Sequence, residues 1–231
     1  MNVLALDTSG PICGVAVLRD KQIVSEHMVL NQRTHSVNLL PMIDESLGEA
    51  GLTLNDMHRI ACVTGPGSFT GVRIGVSTAK GLSHGSGIPC VAVDALEAMA
   101  YGAAYFSGII CAMQDARAGQ VYAACFQARD GAVCRLGPDQ PIAVKELLSG
   151  IRERCLFLGD GMEVHRAEIR EALGERAVLP PPHLSFIRPS SVAVLGRDAA
   201  EEVDYRTLMP LYLRAPSAQR NRELMEAQAH G

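Results

Sequence analysis

Tryptophan is absent from this 231-residue sequence, and aromatic residues make up only 4% of it. We therefore expect a core built from aliphatic side chains. The seven cysteines are odd in number, and none of them belongs to a C-x-x-C pair. Most lie inside apolar runs, such as those around Cys62 and Cys111. This pattern predicts buried free thiols in a reducing, cytoplasmic environment and argues against a disulfide framework.

Three further features are missing, and each argues against a class of protein. Runs of about 18 apolar residues, which a membrane span needs, do not occur. The first ten residues lack the basic and apolar regions of a signal peptide. Basic residues are scattered over a chain of net charge −4, whereas a protein that binds nucleic acid by itself carries a basic face. We expect no membrane association, and RNA contact only through a partner.

Motifs for catalysis are incomplete or missing. The glycine-rich stretch Thr64–Gly75 lacks the lysine of a P-loop, and Thr70 stands where a dinucleotide fingerprint has its third glycine. No two histidines lie three to five residues apart, as a helical metal site requires. The nucleophile motif G-x-S-x-G is also absent. The sequence therefore predicts no catalytic residue, no metal site and no cofactor.

The order of apolar runs and turns predicts an α/β protein with an internal duplication. Three strands open the chain, and helices then alternate with further strands. At Gly108 the opening order begins again, with an apolar strand that ends in Asp, a turn, an alternating strand and a third strand. We expect an N-terminal subdomain at 1–106, a C-terminal subdomain at 107–218 and a polar tail at 219–231.

The helix that follows the glycine-rich stretch has small residues every four positions, at Gly71, Gly75 and Ala79. Glycine inside a helix costs about 1 kcal/mol relative to alanine, so something must approach this face closely. The sequence leaves two explanations open, namely packing within the chain and an interface with a partner. Arg73 lies near the helix start, where its charge opposes the dipole, and we expect it to have a carboxylate or another partner.

Asp7 ends the first strand, at the place where actin-like ATPases keep a carboxylate near their metal. The alternative is a turn in which the Asp7 side chain binds its own backbone at Thr8 or Ser9. Backbone amides at the start of a helix can also hold an anion weakly. The hypothesis of a weak nucleotide or anion contact covers five residues from two loops: Asp7, Ser9, Gly65, Gly67 and Ser68.

Six stretches together carry a family resemblance: LALDTS, RTHSVNLLPMI, TGPGSFTGVRIG, DALEAMA, DARAGQVYAA and PLYLR. In this order they resemble the TsaB family, also called YeaZ, from Met1 to about Ala218. The resemblance implies a duplicated actin-like fold (actin/Hsp70/sugar-kinase, ribonuclease H-like) with two subdomains of mixed sheets flanked by helices. It also implies a role in forming N6-threonylcarbamoyladenosine next to the anticodon of tRNA.

The resemblance further implies a non-catalytic scaffold that pairs with a catalytic TsaD-type subunit, is joined by a TsaE-type ATPase, and reaches tRNA only through this complex. A homodimer through the same surface is an alternative assembly. The catalytic relative has a metal-binding histidine pair where this chain reads VDALEAMAYGAA, so no metal is expected. The interface is expected on the first two helices, at His35, Leu39, Leu40, Ile43, Leu47, Gly71, Arg73, Gly75, Thr78, Ala79 and Leu82.

Besides a homodimeric chaperone-like module with its own clients, two rival enzymatic functions stay open at this point. One is an actin-like ATPase or kinase that uses Asp7 and the glycine-rich loop. The other is a metallopeptidase-like protein, which the older glycoprotease-like label of the family suggests. The two rivals differ from a scaffold in a measurable way, because each requires the isolated chain to bind a nucleotide or a metal.

Overall fold

The structure of the protein is a computed structural model that describes residues 1–31 and 34–214. The first sheet has five strands: β1 (Asn2–Asp7), β2 (Cys13–Arg19), β3 (Gln22–Val29), β4 (Arg59–Gly65) and β5 (Cys90–Asp94). Their spatial order is β3-β2-β1-β4-β5. The first three strands are antiparallel, whereas β4 and β5 run parallel to β1.

The second sheet repeats this arrangement with later parts of the chain. Its strands are β6 (Gly108–Arg117), β7 (Gln120–Arg129), β8 (Ala132–Arg135), β9 (Gln140–Ala143), β10 (Cys155–Leu158) and β11 (Ala177–Val178). The order β8-β7-β6-β10-β11 has the same connectivity and the same strand directions as the first sheet, and β9 pairs with β7. The predicted duplicated actin-like fold is therefore confirmed. The subdomain boundaries stay predictions, and the predicted tail 219–231 lies outside the described residues.

Helices cover the outer face of each sheet and fill the space between the two. The helices are α1 (His35–Glu49), α2 (Phe69–Ser86), α3 (Ala95–Tyr101), α4 (Val144–Gly150), α5 (Asp160–Val164), α6 (Arg166–Leu173) and α7 (Pro189–Asp198). The first two pack on the outside of the first sheet, and α4 to α6 pack on the outside of the second. The central core lies between the sheets and contains α3 and α7. None of the described helices is long and apolar enough to cross a membrane.

The last helix, α7, comes after the second sheet in the chain but packs on strands of the first. Gly196 allows this contact, because a Cβ at that position would lie 2.3 Å from the Cβ of Ala61. Arg59 on β4 holds the end of the helix, since its Nη1 donates to the carbonyl oxygens of Gly196, Arg197 and Ala199 at 2.8–3.1 Å. The polypeptide therefore returns to the first sheet after it has formed the second.

Candidate protein-binding surface and adjoining cleft

The glycine-rich loop connects β4 to α2 and is pressed against the turn after β1. Ser68 caps the helix by accepting a hydrogen bond from the Gly71 amide, and the Ser68 amide donates to the Ser9 carbonyl at 2.7 Å. Gly67 has a φ of +154°, and a Cβ there would lie 2.4 Å from the Ser9 oxygen. Only glycine meets both demands, because it lacks a Cβ and adopts positive φ without strain.

The small-residue face of α2 points inward. A Cβ at Gly71 would lie 2.1 Å from the Thr8 carbonyl oxygen, and one at Gly75 would lie 2.5 Å from Thr8 Oγ1. Gly71, Gly75 and Ala79 are all buried in the chain itself. The expectation that these three residues face a partner is corrected here, because Gly71 and Gly75 lie against the turn after β1 and Ala79 is fully buried in the outer core of the first sheet. The need for small residues is met by intramolecular packing.

The apolar side chains on one face of α1 pack in the core of the protein. Leu39, Ile43 and Leu47 pack against the outer face of the first sheet together with Met42. These three leucine and isoleucine residues were expected at the interface, and their side chains are not available to a partner in this structure. His35 is half-buried at the helix start, where its Nε2 lies 2.9 Å from the Gly10 carbonyl oxygen.

Besides His35, four of the residues expected at the interface have side chains that are at least partly exposed on α1 and α2: Leu40, Arg73, Thr78 and Leu82. Leu40 is 51% exposed and its neighbour Val37 is 55% exposed, although the other large apolar side chains of α1 are buried. On α2 the exposed residues include Ser77 and Gly81, which are small. We call the outward sides of these two helices the α1/α2 surface.

Arg73 finds an aromatic partner. Its guanidinium carbon lies 5.2 Å from the centre of the Phe69 ring, which is a cation–π contact. Phe69 in turn stacks on Tyr212, with ring centres 4.9 Å apart. The predicted partner of Arg73 therefore includes the Phe69 ring, four residues earlier on the same helix. The contact of Phe69 with Tyr212 could not be read from sequence spacing, because Tyr212 is distant in the chain.

A segment near the end of the described chain, 209–213, runs beside α2 and was not assigned a role from composition or periodicity. The Leu211 amide donates to the Thr64 carbonyl at 2.7 Å, and Lys80 contacts the sulfur of Met209. Met209, Leu211 and Tyr212 all keep 42% or more of their surface exposed. This segment therefore adds apolar surface next to α2.

A cleft of about 370 Å³ opens between the two halves of the molecule. The structure brings Ser9, Gly67 and Ser68 of the anion-contact hypothesis to its wall, together with Gln114 and Asp160. Asp160 is half-buried, and this burial raises the pKa of its carboxyl to about 6. Among residues 1–31 and 34–214, no three His, Cys, Asp or Glu side chains are grouped as metal ligands.

Asp7 is buried and does not line this cleft. Its Oδ1 accepts hydrogen bonds from the Ser9 amide at 2.9 Å and from the Ser9 hydroxyl at 2.7 Å. Burial raises the pKa of the Asp7 carboxyl, and the bonds from Ser9 act in the opposite direction. The side chain therefore has the geometry of the turn-forming alternative. Gly65 also belongs to the anion-contact hypothesis and also lies off the cleft wall. It packs against the segment 209–213 instead, since a Cβ at Gly65 would lie 2.6 Å from the Leu211 carbonyl oxygen.

Gln114 presents an unusual buried polar atom at the cleft floor. The Ser9 hydroxyl donates to Asp7, so its oxygen is free to accept from Gln114 Nε2 at 3.4 Å. Gln114 Nε2 is the donor in this bond, because an amide nitrogen donates and does not accept. The Oε1 atom of Gln114 is buried and has no hydrogen-bond partner in the described structure. No sequence motif pointed to this residue.

The repeated sheets, the helix-covered outer faces and the intervening cleft place the molecule in the actin-like class of duplicated α/β proteins. A family model described as "TsaD: tRNA N6-adenosine threonylcarbamoyltransferase" matches residues 24–222. The chain is 35% identical to the tRNA threonylcarbamoyladenosine biosynthesis protein TsaB of Bacillus subtilis, over 95% of this chain and 96% of that protein. The chain belongs to the TsaB family, as the sequence resemblance predicted.

Further relatives agree with this assignment. The TsaB protein of Escherichia coli is 43% identical over 45% of this chain and 44% of that protein. A solved structure of YeaZ from Pseudomonas aeruginosa superposes with a TM-score of 0.77 at 29% identity, and the superposition covers 92% of this chain and 99% of that chain. A second Pseudomonas aeruginosa structure, described as similar to peptidase YeaZ, gives a TM-score of 0.78 at 30% identity with the same coverage.

Proposed function

We propose that this protein is a non-catalytic scaffold subunit in the formation of N6-threonylcarbamoyladenosine on tRNA next to the anticodon. It binds a TsaD-type catalytic subunit through the α1/α2 surface, a TsaE-type ATPase joins the complex, and tRNA is reached only through this assembly in the cytoplasm. The observation that carries the proposal is the exposure of Val37 and Leu40, two large aliphatic side chains on a helix whose other large apolar residues are buried.

The neighbouring helix supports the same surface. Its outward positions include Ser77 and Gly81, and a Cβ at Gly81 would meet nothing within 4 Å in the chain. A partner helix can approach such a face closely, while Arg73 offers a charge at one end of it. Exposed apolar side chains beside a flat face of small residues are suited to helix–helix packing. A second copy of this chain would find the same features, which makes the homodimer the competing assembly.

The first experiment measures complex formation by light scattering behind a sizing column, with the TsaD-type subunit of the same organism. The variant Leu40→Glu puts a charge into the proposed interface, and its matched control is Leu136→Glu on the other half of the molecule, where the leucine is 55% exposed. We expect at least a tenfold loss of affinity for Leu40→Glu and none for Leu136→Glu. Equal binding of both variants would reject the surface.

A second measurement separates the scaffold from the rival enzymes. The isolated chain, the isolated TsaD-type subunit and the mixture with the ATPase are assayed for tRNA modification. We expect activity in the full mixture only. The turn geometry of Asp7 supports a role without catalysis, since both its hydrogen bonds at Oδ1 come from its own loop. Stoichiometric Mg-ATP binding with turnover by the isolated chain would favour the ATPase, and a bound metal with peptide hydrolysis would favour the peptidase.

A further inference from the structure

Cys111 and Cys125 face each other across the second sheet. They are paired residues in the antiparallel register of β6 and β7. All seven cysteines lie within the described residues, and no other two of them are opposed in register. Directly opposed residues of an antiparallel pair point to the same face of the sheet. Both side chains belong to the outer core of the second sheet.

The backbone hydrogen bonds establish whether Cys111 and Cys125 form a hydrogen-bonded or a non-hydrogen-bonded pair of the antiparallel ladder. The Cys125 carbonyl accepts from the Leu136 amide at 2.9 Å, on the side of the strand that faces β8. In an antiparallel strand the N–H and C=O of one residue point to the same side, so neither group of Cys125 is directed at β6. Cys111 and Cys125 therefore form a non-hydrogen-bonded pair, in which Cα atoms lie about 4.5 Å apart. This spacing falls within the range of about 4.4–6.8 Å that disulfides span.

Cys155, the other thiol in this core, is too far from both Cys111 and Cys125 to form a disulfide with either. It lies on β10, on the opposite side of β6 from β7, so two strand spacings of about 4.8 Å separate it from Cys125. It is opposite Ile109, two residues away from Cys111. Both separations exceed the limit of about 7 Å between Cα atoms beyond which a disulfide requires backbone movement.

We propose that Cys111 and Cys125 are a redox-active pair that closes to a disulfide when the protein meets a peroxide. Cys125 is the attacking group because it is half-buried, whereas Cys111 is fully buried. The backbone of Cys125 lies between the two segments of β7 that pair with β8 and β9, at 126–129 and 120–123.

The two opposed thiols influence each other unequally. The neighbouring Cys111 thiol lowers the pKa of Cys125, and the same interaction raises the pKa of Cys111. The Cys125 thiolate attacks one oxygen of hydrogen peroxide, which leaves a sulfenic acid on Cys125 and releases hydroxide. The Cys111 sulfur then displaces the sulfenic oxygen as water, and the S–S bond forms. In total, two thiols lose two electrons and two protons, and one peroxide becomes two waters.

The test treats the native, full-length protein with hydrogen peroxide and maps the cysteines by mass spectrometry. Trypsin and chymotrypsin together cleave after Phe106, Arg117 and Arg129, which places Cys90 and Cys134 on other peptides than the proposed pair. We expect linked peptides that carry Cys111 and Cys125, and we expect dithiothreitol to separate them. The exposed thiol of Cys134 serves as the reference for general reactivity, and Cys134→Ser should still form the link.

Two variants make the order of events testable. In Cys111→Ser, Cys125 should stop at a sulfenic acid that a dimedone probe captures, because the resolving thiol is gone. In Cys125→Ser, Cys111 should stay reduced under the same treatment. The proposal is overturned if Cys134 is oxidised while the pair remains reduced, or if the linked peptides form only after urea has unfolded the chain. It is equally overturned if Cys125 links to Cys155. Circular dichroism of each variant establishes that the fold is present.

Discussion

Thr8 and Gly71 are in contact through both backbone and side chain. The Thr8 hydroxyl donates to the Gly71 carbonyl oxygen at 2.7 Å, and the Thr8 carbonyl oxygen occupies the space that a Cβ at position 71 would need. This contact joins the turn after β1 to the first turn of α2. Together with the approach of Thr8 Oγ1 to Gly75, it explains why α2 has two glycines four residues apart in its first half.

Gly71→Ala should therefore destabilise the protein. A methyl group 2.1 Å from a backbone oxygen forces the helix and the turn apart, at a cost of about 1–3 kcal/mol. Gly81→Ala in the same helix is the matched control, since nothing lies within 4 Å of its Cβ position. It should stabilise the fold by up to about 1 kcal/mol through helix propensity. Urea unfolding of both variants measures this difference, and a shared sign would refute the close contact.

The return of α7 to the first sheet depends on Arg59. Its guanidinium group binds three carbonyl oxygens at the helix end, and its Nε binds Glu202 at 2.7 Å. Lysine cannot reproduce this planar fork of donors. We expect Arg59→Lys to lower the free energy of unfolding by about 2 kcal/mol. Arg129→Lys is the control because that side chain is 85% exposed; a similar loss in the control would show that the helix-end contacts contribute nothing.

The stacked rings of Phe69 and Tyr212 should couple energetically. A double-mutant cycle with both residues changed to alanine should give an interaction energy of about 0.5–1.5 kcal/mol in thermal or urea unfolding. Tyr105 is 64% exposed and has no described ring contact, so a cycle of Phe69 with Tyr105 should be additive. Additivity in both cycles would mean that the segment 209–213 is not held against α2 by its aromatic side chain.

The raised pKa of Asp160 predicts that the stability of the protein depends on pH. Burial raises the pKa of its carboxyl in the folded state to about 6, above the unfolded value of 3.8, so the folded protein binds the proton more tightly. The contribution of this group to stability is complete below about pH 4 and is lost as the pH rises through 6. Asp160→Asn should match the parent protein at pH 4 and exceed its free energy of unfolding by up to about 3 kcal/mol at pH 7.

Asp56 provides a control of opposite sign for that measurement. Hydrogen bonds from the Thr53 amide and hydroxyl lower the pKa of its carboxyl. Its contribution is therefore present above the unfolded pKa and is lost as the pH falls through the lower folded value. Asp56→Asn should lose stability at neutral pH, where Asp160→Asn gains it. Parallel pH curves for the two variants would contradict the assignment of the raised pKa to Asp160.

Much of the fold could be predicted from the sequence because its signals are local. Alternating apolar residues and turns indicated strands, and the repeated order of strand, Asp and turn indicated the duplication that the two sheets confirm. Family motifs identified the TsaB relationship, which the Bacillus subtilis relative confirms. These features depend on residues that are neighbours in the chain, so they can be recognised without a tertiary structure.

The direction in which each helix face points was decided only by the tertiary structure. The spacing of Gly71, Gly75 and Ala79 required a close neighbour, but the same spacing serves a partner or the chain's own turn. The neighbour of both glycines is Thr8, more than sixty positions earlier in the chain. Asp7 is similar, because a strand-terminal carboxylate can face a cleft or bind its own loop, and its burial beside Ser9 selects the loop.

The positions of segment 209–213 and of the opposed cysteines also could not be predicted from the sequence. Their contacts join residues that are far apart in the chain or on separate strands, and strand register is set by how whole sheets pack rather than by any short motif. The sequence alone therefore determined the classes of element, their order and the family. Packing between distant segments determined which side chains remain exposed. It therefore also determined which residues form the α1/α2 surface and which two cysteines face each other.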